Sequence, residues 1–364
     1  MDGLRKLLSA KWINPPTDPA TSFAGKTVII TGANTGIGYE AAIKFVRLGV
    51  SSLILGVRNV YKGEVARNSL KTQFPEHKGE IKIWLLDMSS YASVHAFVEK
   101  CNRLPAIVNV ILNAGVMMKD YEQSGHGWET TLQVNTLSTT LLALLLIPKL
   151  KEMGEKSDLK PVLEFVTSDL YRNVIMPGEN DPKPEGMDHY SATTPIQSYN
   201  SEFKFNGRAQ YARSKFFLQC AIGQIARIAG DPSAIKVIVI SVSPGVCSSE
   251  LGRAYAPTGG IKALLFSLVQ ALLFRTSEQG ARSLVSGALT PLHEGELAGI
   301  QGGYWRNDEW QELAENVCPE KAEDMILNVW QEIVAALKGE NREVLNIIWR
   351  EAMMSRTYDL AQCS

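Results

Sequence analysis

Tyr211 and Lys215 stand four residues apart in a segment of helical periodicity, 209–229. That spacing projects both side chains from one helix face, which brings a phenol and an ammonium together. A free tyrosine has a pKa of about 10 and is a poor base at neutral pH. An adjacent positive charge favours the phenolate and allows proton exchange with a substrate oxygen nearer to working pH. Ser168 follows a short apolar strand, 162–167, and its hydroxyl can donate to a carbonyl oxygen as negative charge builds there. Asn135 is the polar exception on a long helix, about 130–151, that is apolar nearly all round. An amide buried in such a helix must be hydrogen-bonded. Tyr211, Lys215, Ser168 and Asn135 are therefore the candidate catalytic residues. A Tyr-x-x-x-Lys spacing arises easily by chance among eleven tyrosines, so its meaning depends on the elements around it.

The strongest of these lies near the start of the chain. A β-branched run, Val28 to Ile30, breaks at Thr31-Gly32, and glycines follow at Gly36 and Gly38 before a helix marked by Ala41, Ala42, Phe45 and Val46. Strand, glycine turn and helix make the first half of a dinucleotide-binding βαβ unit. Gly32 permits the tight turn, Gly36 lets backbone approach a pyrophosphate, and Gly38 lets helix and strand pack closely. Asn34, Thr35 and Ile37 complete the loop, and the helix N-terminus offers unpaired N–H groups to phosphate. The second strand, 52–57, ends in Arg58, twenty positions beyond Gly38, with no carboxylate there. An acid at this place would read the 2′-hydroxyl of NAD, whereas an arginine accommodates a 2′-phosphate. NADP(H) is the expected cofactor, with Arg58 as its reader.

The Thr-Gly-x-x-x-Gly-x-Gly spacing resembles the short-chain dehydrogenase/reductase superfamily, and the likeness extends over residues 25–305. Asn113-Ala114-Gly115, after a fourth strand at 107–112, matches the family's Asn-Ala-Gly motif. The resemblance implies that Asn113 and Gly115 lie against the cofactor, that Asp87 accepts a hydrogen bond from the adenine amino group, and that Asn135 supports a water-mediated proton path. Pro244-Gly245-Val246 resembles the segment that contacts nicotinamide, with Ser249 where the family often has threonine. Lys215 would also bond the nicotinamide ribose. Within the superfamily, Thr31–Gly38, Val-Arg-Asn after the second strand and Thr276-Ser-Glu-Gln-Gly280 are similar to the retinol-dehydrogenase-like branch and to fungal secondary-metabolite dehydrogenases. One departure stands out: Ser168 and Tyr211 are 43 residues apart, far more than is usual, so the intervening loop, rich in proline and glycine, should border and reshape the substrate mouth.

Alternating strands and helices predict a Rossmann-type doubly wound parallel sheet of about seven strands, helices on both faces, and a C-terminal helical extension. Residues 1–24 read as a helix and linker, 25–305 as the catalytic domain, and 306–364 as the extension, with amphipathic helices at 319–337 and 344–354. An apolar helical segment at 261–274 falls where the superfamily carries its variable substrate lid. At 364 residues and 45% hydrophobic the chain can bury a large core. A net charge of −1 gives no strong field toward nucleic acid or anionic lipid. Five cysteines without paired spacing suit a reducing compartment. No signal peptide is evident, and the longest apolar runs, 141–147 and 263–274, are too short to span a bilayer. Cytoplasm is the expected location. Histidines are scattered without ligand spacing, so no metal is expected.

Together these features predict hydride exchange between NADP(H) and a carbonyl or alcohol on a hydrophobic small molecule. Two alternatives share the platform: reduction of an activated C=C bond, and a non-catalytic NADP-sensing scaffold. Relatives commonly form dimers or tetramers through the two long helices, so a homodimer is expected where the C-terminal helices leave those faces open.

Overall fold

The computed structural model describes residues 5, 8–157, 159–178, 183, 187, 189–203, 205–230, 235–248, 250–257, 259–289, 300–339, 344 and 346–348. Ser249 and most of the helix expected at 344–354 lie outside the described residues.

The strands are β1 (Thr27–Thr31), β2 (Ser52–Val57), β3 (Glu80–Leu85), β4 (Asn109–Leu112), β5 (Val162–Val166), β6 (Ile238–Ser243), β7 (Tyr304–Arg306) and β8 (Glu309–Gln311). They form one sheet in the order β3-β2-β1-β4-β5-β6-β7-β8. The first seven are parallel, and β8 runs antiparallel to β7. Ile29 of β1 sits in register with Ile54 of β2 and Val110 of β4. β1, β2 and β4 carry near-continuous β-branched and aliphatic residues because both their faces are covered.

The helices are α1 (Gly36–Arg47), α2 (Val60–Gln73), α3 (Tyr91–Asn102), α4 (Thr130–Lys156), α5 (Gly207–Ala229), α6 (Gly260–Leu273), α7 (Ser277–Leu289) and α8 (Pro319–Lys338). Two apolar clusters divide the molecule. One joins α3, α4, α5 and α8 to the sheet through Phe97, Leu141, Phe216, Phe217 and Trp330. The other joins α1 and α7 through Phe45, Leu284 and Val285. The doubly wound arrangement is therefore as expected, and the strand order reverses between β1 and β4, where such sheets open a ligand crevice at their carboxyl ends.

The strand count is eight rather than seven. Asn307 and Asp308 adopt φ of 55° and 60°, the left-handed pair that a tight hairpin requires, and they return the chain as β8. The sheet thus continues beyond residue 305. The N-terminal segment, helical at Ser9–Ile13, is strapped to this hairpin and to α1: Thr17 N–H donates to Asp308 at 2.6 Å, and Lys44 of α1 pairs with Asp18 at 2.8 Å. The long loop before α5 is tied to α8. Glu332 accepts from the N–H groups of Ile196 (2.7 Å) and Gln197 (2.5 Å), and Asn328 donates to Ala192 O at 3.1 Å.

Helix α4 has the length and hydropathy of a membrane span, but 94% of its apolar window is buried, so it is a core helix. Its counterpart among buried acids is Glu164 on β5. This side chain is 0% exposed, and neither carboxylate oxygen has a hydrogen-bond partner. Burial holds its pKa well above the ordinary carboxylate range. The folded chain keeps a proton that the unfolded chain, titrating near about 4.3, has released. This group's contribution is therefore fully present below that pH and is lost as pH rises toward the folded value. Glu164→Met should raise stability at neutral pH by about 1–3 kcal/mol. Melting curves of variant and wild type should diverge as pH rises from the acid side; parallel curves would contradict this.

Candidate active site

The glycine turn is built by contacts that exclude side chains. Gly32 has φ of +66°, and a Cβ there would lie 2.9 Å from Ala114 Cα. A Cβ on Gly38 would lie 2.5 Å from Asn113 Nδ2 and 2.7 Å from Gly32 O. Gly36 differs: its φ is +59°, and nothing stands within 4 Å of where a Cβ would point. Asn113 locks the turn from β4, donating to Thr31 O at 2.9 Å and Gly32 O at 3.1 Å. Thr31 Oγ1 in turn accepts from Ala114 N at 2.9 Å. Thr35, which precedes α1, makes no side-chain capping bond, leaving the first-turn N–H groups to an external anion.

Arg58 follows β2, exposed to solvent. It lies two residues past Gly56, whose carbonyl accepts from Gly32 N at 2.8 Å, so the arginine stands beside the glycine turn. Asp87 follows β3 and accepts from Ser89 N (2.9 Å) and Ser89 Oγ (2.7 Å) through one oxygen. Gly245 has φ of +78° in the turn after β6, with Pro244 and Val246 on either side. Ser249 lies outside the described residues. An open glycine, an uncapped helix start and an exposed arginine at the end of β2 fit a phosphorylated dinucleotide.

Tyr211 and Lys215 are on the first half of α5, both buried. The Ser168 hydroxyl, which accepts from Leu170 N at 3.4 Å, is close enough to the Tyr211 phenol to oppose the rise in its pKa. Lys215 Nζ donates to Val166 O at 2.8 Å and lies 5.8 Å from the Tyr211 ring centroid. Strand β5 thus supplies both the serine and the carbonyl that positions the lysine. Gly115 closes the group from β4: a Cβ there would be 3.2 Å from Asn135 Oδ1 and 3.8 Å from Lys215 Nζ. All four candidate catalytic residues and the Asn-Ala-Gly turn converge at the carboxyl ends of β4 and β5.

One expectation is corrected in detail. The Lys215 ammonium does not bring Tyr211 below its ordinary pKa. Burial pushes the phenol up to about 12, against the opposing pull of the neighbouring Ser168 hydroxyl. Burial also pushes Lys215 down to about 8. Desolvation dominates both shifts because both groups are buried in the crevice. Asn135 lies in a π-helical stretch, Gln133–Ser138, within α4, a distortion common at functional sites. Its amide is committed to a clamp: Nδ2 donates to Val116 O (2.8 Å) and Ser214 Oγ (3.0 Å), while Oδ1 accepts from Val116 N (2.8 Å). It ties the loop after β4 to α5.

Arg275 is a site residue that motif reading passes over. Helix α7 begins at Ser277, and Arg275, two residues before it, is buried beneath the Pro-Gly turn. It donates to Pro244 O at 3.2 Å and Asn307 Oδ1 at 2.7 Å, and its backbone N–H donates to Val246 O. A lone arginine after an apolar run was the available signal. Asp169 is a second such residue: it accepts from Tyr304 Oη and pairs with Arg306 at 2.9 Å, anchoring the backbone next to Ser168.

A family model for short chain dehydrogenases matches residues 26–157. The short-chain dehydrogenase/reductase ffsI of Aspergillus flavipes is 37% identical over 350 residues, covering 94% of this chain and 95% of that protein. The chain belongs to the short-chain dehydrogenase/reductase family. A second fungal member, phmF of Phaeosphaeria nodorum, is 36% identical over 338 residues, covering 92% of this chain and 93% of its own. Among solved structures, L-sorbose reductase from Gluconobacter frateurii, complexed with NADPH and L-sorbose, is similar with a TM-score of 0.56 and 17% identity. The match covers 79% of this chain and 97% of that one. A short chain dehydrogenase from Salmonella enterica serovar Typhi gives 0.53 at 20% identity, covering 81% and 99%. These two likenesses are of fold. Membership makes the chain an oxidoreductase of this family, and the doubly wound sheet is the family's scaffold.

Proposed function

We propose that this short-chain dehydrogenase/reductase uses NADP(H) to interconvert a carbonyl and an alcohol on a hydrophobic small molecule, acting as a reductase at neutral pH. The observation that carries the reading is Lys215, pinned to Val166 O at 2.8 Å and 5.8 Å from the Tyr211 ring, with Gly115 closing on its Nζ and on Asn135 from β4. A bound dihydronicotinamide supplies the reducing equivalent. Tyr211 holds a proton on Oη for the substrate oxygen, and Ser168 Oγ donates to the same oxygen as it gains charge. Lys215 keeps positive charge near that oxygen and reaches toward the cofactor ribose. Asn135 is a positioning residue, holding Val116 and Ser214 in place around the pair.

Gly32, Gly36 and Gly38, with the backbone of Asn34, Thr35 and Ile37, would cradle the pyrophosphate. Asp87 would meet the adenine, Asn113, Ala114 and Gly115 the nicotinamide ribose, and Pro244, Gly245 and Val246 the ring. The NADPH held by the L-sorbose reductase of similar fold supports the choice of cofactor. A secondary metabolite as substrate rests on the resemblance of Thr31–Gly38 and Thr276–Gly280 to fungal secondary-metabolite dehydrogenases. Cys101, Cys220, Cys247 and Cys318 are free thiols, which fits a reducing compartment such as the cytoplasm. Helix α8 lies across α5 through Trp330 and Ile326, so a homodimer would use a face other than α5.

Arg58 tests the cofactor assignment. A guanidinium bonded to a 2′-phosphate contributes about 1.5–3 kcal/mol, or about 10–100-fold in affinity. Arg58→Ala should weaken NADPH binding by that factor and leave NADH binding unchanged, read by titration of cofactor fluorescence. Equal NADPH affinity in the two proteins would overturn Arg58 as the reader.

A further inference from the structure

Helix α6 contradicts the rule its own sequence invokes. Its residues, Gly260 to Leu273, include only Lys262, Ser267 and Gln270 as polar side chains. A helix apolar all round is ordinarily buried. Yet Leu264, Leu265, Leu268, Val269 and Leu272 are 62%, 56%, 51%, 45% and 56% exposed. They recur at i, i+1, i+4, i+5 and i+8, which makes one continuous stripe.

A second apolar segment joins this stripe. Trp12 Nε1 donates to Leu272 O at 2.9 Å, and Lys11 Nζ donates to Ala271 O, so the N-terminal segment caps the last turn of α6. A cation at a helix C-terminus satisfies orphan carbonyls and complements the dipole. The segment presents Leu8, Trp12 and Ile13 to solvent beside the stripe. Contiguous apolar surface of this kind marks an interaction site.

The choice of partner follows from length and charge. Fourteen residues cannot cross a hydrocarbon core of about 30 Å, and an apolar helix of this length outside a protein core suits an interfacial position. A tryptophan with a satisfied N–H and an exposed ring suits the headgroup level. No acidic residue occurs in 3–17 or 251–277, whereas Arg5, Lys6 and Lys262 flank the apolar residues. The net charge of −1 therefore conceals two stretches of sequence that are apolar and basic without an acid, the combination that binds anionic bilayers.

We propose that α6 and the segment 8–13 form one docking face for an anionic lipid surface, seating the protein on a membrane without spanning it. Helix α6 follows the Pro-Gly turn, and Tyr255, in the intervening connection, donates to Met118 O beside the Asn-Ala-Gly loop. Docking would thus turn the crevice mouth toward the lipid.

The test is flotation of the full chain with extruded vesicles of phosphatidylcholine alone or mixed with phosphatidylglycerol. Wild type should float with the anionic vesicles and less with the neutral ones. Combining Leu264→Ser, Leu268→Ser and Leu272→Ser should reduce the bound fraction by about tenfold or more, with melting temperature and NADPH affinity unchanged. Ile13→Ser should act in the same direction. Wild type left unbound, or a triple variant that floats equally well, overturns the proposal. So does a wild-type dimer that the triple variant dissolves without any flotation, since the face would then join two copies. Equal binding to neutral vesicles overturns the part assigned to Arg5, Lys6 and Lys262.

Discussion

Tyr211→Phe is expected to lower kcat for carbonyl reduction by about 10²–10⁴-fold while NADPH binds as tightly as to wild type. The substitution removes one oxygen and keeps a ring that is buried in α5. Lys215 keeps its bond to Val166 O, so the crevice is not dismantled. What is lost is the proton. With the phenol pushed up to about 12, Tyr211 is fully protonated at neutral pH and can serve as an acid, whereas the reverse reaction must first form a phenolate at a steep cost. The same shift predicts that alcohol oxidation gains with alkaline pH. Stopped-flow turnover and cofactor titration on the same preparation separate the two effects. Turnover near wild type would remove Tyr211 from the proton path.

Lys215→Met should lower kcat by about 10²-fold or more, the scale of losing one preorganised charge at a developing oxyanion, and should also change two pH profiles. Burial pushes the ammonium down to about 8, so wild-type reduction should fall as pH rises through that value, and the variant should lack this step. Stability moves the opposite way. Between about 8 and the unfolded lysine value of about 10.4, the unfolded chain binds a proton that the folded chain has released, so stability rises with pH. Methionine abolishes that rise. A variant retaining both pH dependences would show that another group titrates there.

The parts of this site that are legible in the sequence are those built locally. Gly32, Gly36 and Gly38 occupy one turn, and Tyr211 and Lys215 one face of one helix, so spacing alone carries their geometry. Strands β1, β2 and β4 are legible because burial on both faces leaves nearly uninterrupted apolar runs. Contacts between distant segments were not. Asn135 meets Ser214 across 79 residues and Val116 across 19, so its clamp could not be read from the helix that carries it. Arg275 looks like a helix start until the fold brings Pro244 over it. The β7–β8 hairpin turns on Asn307-Asp308, a weaker turn signal than one containing glycine. The pKa of Tyr211 was read from its neighbour alone, because burial is a property of the whole crevice. Helix α6 was legible as a helix, but its exposure was not, since an apolar run looks the same whether protein or another medium covers it.

The central claim is that Tyr211, Ser168 and Lys215 face a cradle that holds NADPH. The most direct measurement follows nicotinamide absorbance while wild-type protein is mixed with NADPH and a panel of hydrophobic ketones and aldehydes, with the alcohol product quantified in parallel. The account predicts saturable NADPH binding and consumption matched one-to-one by alcohol. A chain that binds no NADPH, or binds it and consumes none with every carbonyl while remaining folded, would contradict it.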